Sequence, residues 1–253
     1  MVFQNLEGRL TEEHIETYVD IMEDIENPTK TTLGAALDIA VVLKNTGLEH
    51  QYALFGGYAV LAHLVDKYGD GIILSWRGSE DIDMIGSVHV LNAIRSNYNV
   101  TNDRQSPNVS DKRTLKIQPE YAPEVKIDYT QGSLDYTEEK EIFGIPITVL
   151  EPFTLVRGKL RPAIDEEVHR SDIIGLLGVM DHRAKRDNKY DPEEIAKQLN
   201  PEEVNLLCDA IRGYEPWNEE RITIGPSKEY TDMLKKALKS RSYSPSEFPT
   251  PRD

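Results

Sequence analysis

Residues 55–85 read FGGYAVLAHLVDKYGDGIILSWRGSEDIDMI, and the fold turns on how the two halves of this stretch are read. QYALF, which runs into it, is short, apolar and aromatic, the pattern of a buried strand. Gly56 and Gly57 follow, and then Val60, Leu61, Leu64 and Val65 recur at helical spacing until Gly69 and Gly71 stop the run. A strand that turns into a helix through two glycines presents unpaired backbone N–H groups at the helix start. Lacking Cβ atoms, the chain there can lie against a phosphate, whose charge the helix dipole favours. Taken alone, the two glycines read first as an ordinary tight strand-to-helix turn.

The second half carries the chemistry. In DIDMI, Asp81 and Asp83 lie two residues apart. On a strand they share one face, roughly 6.6 Å apart along the chain, while Ile82 and Met84 face the core. Two carboxylates on one face repel unless a cation stands between them, and a divalent metal is the common solution. An acidic strand edge is the competing reading. EVKIDYT, residues 124–130, shows the same alternation: Val125 and Ile127 on one face, Lys126 and Asp128 on the other. If this strand neighbours DIDMI, Asp128 completes a three-carboxylate set. Hard oxygen ligands suit Mg²⁺ or Mn²⁺, which bridge substrate phosphates, and a carboxylate there can take the proton of an attacking hydroxyl.

Taken together, Gly56-Gly57, the run Arg77-Gly-Ser79-Glu-Asp81-Ile-Asp83 and the later Asp128 resemble the DNA polymerase β-type nucleotidyltransferase superfamily. Within it the chain is most similar to the AbiEii-like and minimal nucleotidyltransferases, many of them toxin or antitoxin components. Their pattern is Gly-Gly, a helix, then R-x-T-x-D-ψ-D with ψ apolar; Ser79 stands here where Thr is commoner. EPFTLVRGKLRPAID resembles the proline, Leu, Lys-Leu helix entering the family's C-terminal half, and HRSDII its Arg/Lys-Asp motif, so the likeness spans residues 52–179.

The resemblance implies that Gly56 and Gly57 hold a nucleoside triphosphate (NTP) through backbone N–H groups. It implies that Asp81, Asp83 and Asp128 bind Mg²⁺ or Mn²⁺, with Asp128 as general base. It further implies that Lys159 reaches phosphate and that Asp172 and Arg170 form the later charged motif. Arg77 would orient the acidic strand or touch phosphate, and Ser79 would bond phosphate or cap a turn. For Arg77, Lys159 and Arg170 an ordinary ion pair with a nearby acid is an equal alternative. The implied acceptor is a hydroxyl on tRNA, on protein or on a small molecule, with a cognate toxin or antitoxin as partner. A catalytically idle, nucleotide-binding regulator is the reading from another class.

The totals fit a globular protein. The chain has 253 residues, 39% hydrophobic, with 44 Asp/Glu against 29 Lys/Arg and a net charge of −15. That charge opposes broad attraction to nucleic acid or anionic membrane, although bound divalent cations reverse the local field. The single Cys208 excludes an internal disulfide and any multi-cysteine metal site,. No apolar run approaches a membrane span, and the start lacks a basic region followed by an apolar one; a cytoplasmic protein is expected.

Along the chain, a helix with Ile15, Val19, Met22 and Ile25 on one stripe, capped by Thr11, is expected to end at Asn27-Pro28; a second covers residues 32–44. IILSW and DIDMI read as strands, RTLKI and EVKIDYT as a strand pair, GIPITVL as a strand, residues 88–96 as a helix and NDRQSPNVSDK as a loop. Helical periodicity returns from Glu151. The expected fold class is α+β, a nucleotidyltransferase-fold mixed β-sheet core with flanking helices and a helical C-terminal half. The expected division is 1–48, N-terminal helices; 49–150, the core; 151–225, a helical domain; and 226–253, a basic helix and flexible tail. That last segment holds six Lys/Arg and four Asp/Glu. The six histidines show no ligand spacing: His63 reads as structural, and His182 as part of a solvated turn. Cys208 reads as a core residue.

Overall fold

A computed structural model of the chain describes residues 28–74, 76, 78–107, 109–118, 124–187, 189–212, 214 and 224–241. The first expected helix, Arg77 and the tail from 242 onward lie outside these residues. The chain divides into two compact units, Met1–Glu151 and Pro152–Asp253.

The first unit is built on one mixed sheet. Helix α1 (Pro28–Asn45) precedes strand β1 (Tyr52–Phe55), helix α2 (Gly56–Tyr68) and a 3-10 turn (Asp70–Leu74). Strand β2 (Asp81–Gly86), helix α3 (Val88–Asn97) and strands β3 (Asn99–Gln105), β4 (Lys112–Gln118), β5 (Val125–Gln131), β6 (Thr137–Ile142) and β7 (Ile145–Leu150) follow. The spatial order is β3-β4-β5-β2-β1-β7-β6. β2 runs parallel to β5 and antiparallel to β1, and β1 runs parallel to β7. Burial alternates along β2 and β5, which puts Ile82, Met84, Val125, Ile127 and Tyr129 in the core and the acidic positions on the other face,.

Two expectations for this unit need correction. The expected strand IILSW is not formed at Ile72, Ile73 and Leu74: Gly69 closes α2 at φ 79°, and Ile72 and Ile73 bury within the 3-10 turn that follows. A short apolar run carries no periodicity that separates strand from helix. NDRQ is not loop but the end of β3, paired antiparallel with β4. TEEKEI, which the sequence reading did not single out, forms β6 against β7. Both are edge strands dominated by charged and polar residues, so neither carries an apolar alternation,.

The second unit is helical: α4 (Pro152–Lys159), a 3-10 turn (Pro162–Ile164), α5 (Glu167–Asp187), α6 (Pro192–Gln198), α7 (Pro201–Ala210) and α8 (Lys228–Lys239). Its starts follow capping chemistry. Asp191 accepts from the N–H groups of Glu193 and Glu194, Asn200 and Glu203 form a capping box, and Ser227 accepts from Tyr230 N,. His182 sits exposed inside α5 rather than in a turn: MDHRAKRD contains no Gly or Pro, so the helix runs on with Asp181 and Arg183 buried beside it. Together the units give an α+β fold with a mixed sheet. Among the described residues no helix is long and apolar enough to cross a membrane.

Candidate active site

The sheet order decides which side chains meet. β1 delivers the chain to Gly56, and Phe55 at its end pairs with Asp83 of β2. Gly56 has φ 67°, and a Cβ built there would lie 1.8 Å from Asp83 Oδ2. A left-handed backbone pressed against a carboxylate leaves glycine as the fitting residue. A Cβ on Gly57 would come 2.8 Å from Ser79 Oγ. The Tyr58 hydroxyl donates to the Ser79 carbonyl at 3.1 Å, with its ring 5.3 Å from that of Trp76. The Gly-Gly turn, the Ser79 segment and Asp83 are thus built against one another.

β2 and β5 are neighbours in parallel register, Asp81 opposite Lys126 and Asp83 opposite Asp128. The three aspartates lie on one face of adjacent central strands. Thr114, opposite Asp128 on β4, donates to Asp128 Oδ1 at 2.8 Å. Ser79 Oγ makes a long 3.5 Å bond to Asp81 Oδ1.

Lys126, placed on this face by the sequence but given no role there, joins the set. Its ammonium donates to Asp81 Oδ2 at 3.0 Å and to Asp128 Oδ2 at 2.7 Å. Partial burial pulls its pKa down, but the hydrogen bonds to Asp128 and then Asp81 prevail and hold it above the usual lysine value,. Its involvement depends on the pairing of β2 with β5, which alternation within one strand does not reveal. Among the described residues no three His, Cys, Asp or Glu side chains are drawn together as a ready-made metal site. Asp81 and Asp128 converge on the ammonium instead. The donor chemistry nonetheless fits a hard divalent cation: the groups are carboxylates, and two of them already share one positive charge.

In the second unit Lys159 and Asp172 form an ion pair at 2.8 Å, with both residues almost fully buried. Arg170 of α5 donates through Nε to the Ala210 carbonyl at 2.8 Å and through Nη2 to that of Arg212, so it satisfies carbonyls at the end of α7,. His63 is fully buried, with Nε2 2.8 Å from the Leu150 carbonyl, a core histidine. Burial pushes the Cys208 thiol up, opposite to what a nucleophile requires,.

No family profile matches the chain, and no curated protein sequence does. Among solved structures it is similar to an antigenic nucleotidyltransferase-like protein from Paracoccidioides brasiliensis. That match has a TM-score of 0.41 and 15% identity over 85% of this chain and 97% of that one. It is similar also to the antibiotic-resistance factor ANT(2'')-Ia, with a TM-score of 0.39 and 13% identity over 83% and 94%. The Megavirus polyadenylate synthase gives a TM-score of 0.39 and 12% identity over 85% of this chain and 51% of that one. Likeness at this level decides nothing about activity, which has to be argued from the site.

Proposed function

We propose that the chain is a metal-dependent nucleotidyltransferase that moves a nucleoside monophosphate from an NTP to a hydroxyl acceptor. One observation carries the reading: Asp81, Asp83 and Asp128 lie on one face of the paired strands β2 and β5, beside a Gly-Gly helix start packed against Asp83. Gly56 and Gly57 open α2, so their N–H groups belong to the first turn, which has no intrahelical acceptors,. Triphosphate oxygens would accept from them, and Ser79, beside Gly57, would add a hydroxyl donor.

Asp81, Asp83 and Asp128 would hold the divalent cation, Mg²⁺ or Mn²⁺. When bound it would neutralise phosphate charge and align the groups for in-line displacement. The acceptor oxygen forms a bond to the α-phosphorus, the bond to pyrophosphate breaks, and Asp128 takes the hydroxyl proton. Thr114 orients that carboxylate through its 2.8 Å hydrogen bond.

The finer reading is a toxin-like enzyme of the cytoplasm acting on tRNA, within a toxin–antitoxin pair. Its support is helix α8, where Lys228, Lys236 and Lys239 are exposed and Arg241 follows, in a chain of net charge −15,. The test is transfer of label from each α-³²P-NTP, with Mg²⁺ or Mn²⁺, to total tRNA, to lysate protein and to the enzyme itself. Label on RNA supports the tRNA reading, and label on protein makes it an NMPylating enzyme. Asp128→Asn should lower transfer by at least about a hundredfold, the low end of general-base contributions, and Asp81→Asn, which removes a cation ligand, should abolish it, both with unchanged circular dichroism. Wild-type transfer in either variant would remove the mechanism. Nucleotide binding without transfer to any acceptor would favour the regulatory reading.

A further inference from the structure

Resting on that reading of the site, we propose that Lys126 is a resident counter-ion that a divalent cation must displace from Asp81 and Asp128. The ammonium occupies the point on which both carboxylates converge, 3.0 Å from one and 2.7 Å from the other. Both carboxylates are fully engaged. Asp81 accepts from Ser79 on Oδ1 and Lys126 on Oδ2; Asp128 accepts from Thr114 on Oδ1 and Lys126 on Oδ2. A cation entering between these acids meets a donor at every oxygen.

The donors differ in kind. Ser79 and Thr114 offer neutral hydroxyls, which rotate and also accept, so they can remain beside a coordinated carboxylate. Among the described residues, Lys126 is the donor to these acids that carries charge, and an ammonium and a divalent ion repel within one small site. It is also the donor that can leave. Its side chain is 42% exposed, and its four-carbon stem can swing the charge into solvent,. Before the cation arrives, Lys126 therefore offsets the repulsion that three aspartates on one face would otherwise impose. Lys126 stands two residues before Asp128 on β5, so one strand supplies both a ligand and its competitor.

Mn²⁺ titration followed by the free-ion electron paramagnetic resonance signal tests this without turnover. Wild type, Asp81→Asn, Lys126→Met, Lys126→Arg and the double variant Asp81→Asn/Lys126→Met are compared, with circular dichroism to confirm the fold. Two partly exposed ion pairs are lost in Lys126→Met, so Mn²⁺ should bind about tenfold more tightly. Lys126→Arg keeps the counter-ion and should stay near wild type, and the double variant should lose the gain. Equal or weaker binding by Lys126→Met overturns the inference. If Asp81→Asn alone still abolishes wild-type Mn²⁺ binding, the nucleotidyltransferase reading survives that result. Absence of Mn²⁺ binding in wild type and Lys126→Met alike overturns both.

Discussion

At the scale of single residues, the site is set by what fits beside Asp83. Gly56 adopts φ 67°, and a methyl group there would overlap the Asp83 carboxylate, its atoms standing 1.8–2.9 Å from the added carbon. Gly56→Ala therefore carries two penalties, a left-handed conformation for an L-residue and displacement of Asp83. Each is of the order of 1–3 kcal/mol. Urea unfolding should show a loss of about 2–6 kcal/mol, and NTP affinity, followed by fluorescence or calorimetry, should fall at least tenfold. Wild-type affinity in a folded Gly56→Ala protein would show that the glycine turn does not hold the nucleotide. The aspartates were legible because one strand period separates Asp81 from Asp83 and places Asp128 on the polar face of its own strand. The bridge from Lys126 to both acids was not, because it arises from the register of two strands distant in sequence.

At the scale of elements, legibility follows burial. β2, β5 and β7 alternate buried and half-buried positions, and each is visible as a pattern in the chain. β3 and β6 lie at opposite edges of the sheet, where charged and polar side chains take both faces and the apolar signal disappears. β3 is held instead by pairing with β4 and by charge. Asp103 receives hydrogen bonds from Arg95 of α3 and Arg113 of β4. Slight burial alone would raise the Asp103 pKa, but the two guanidinium groups outweigh it and depress it. The folded pKa thus lies below the unfolded one, so this stabilisation is complete above the unfolded value near 3.8 and disappears as pH falls through the folded value,. At pH 7, Asp103→Asn should cost no more than about 1 kcal/mol, since the pairs are solvent-screened. The gap to wild type in thermal unfolding should close as pH falls below about 3.8. A gap of constant size down to pH 2 would mean that shape or neutral hydrogen bonding, rather than charge, fastens this edge.

For the whole molecule the decisive quantity is net charge. With 44 Asp/Glu and 29 Lys/Arg, fifteen negative charges go uncompensated. Among the described residues several ion pairs are exposed, as in Arg161–Glu202 at 75% and 60% side-chain exposure, and such pairs contribute little each,. Salt weakens attraction and repulsion together, so the sign of its effect on stability reports which dominates. At 0.01 M ionic strength the screening length is about 30 Å and charges act across much of the protein; at 0.1 M it is about 10 Å and distant repulsion fades while contacts at 3 Å persist. Repulsion summed over many distant pairs should therefore be lost first, and the melting temperature should rise by a few degrees between 0.01 M and 0.3 M NaCl. Chloride salts serve better than sulfate, which strengthens apolar burial by a separate route. KCl should give the same rise as NaCl if screening is the cause. A fall in melting temperature would mean that local ion pairs, among them the Lys126 bridge between Asp81 and Asp128, outweigh the long-range repulsion. The acidic surface would then be tolerated for solubility at little cost to the fold.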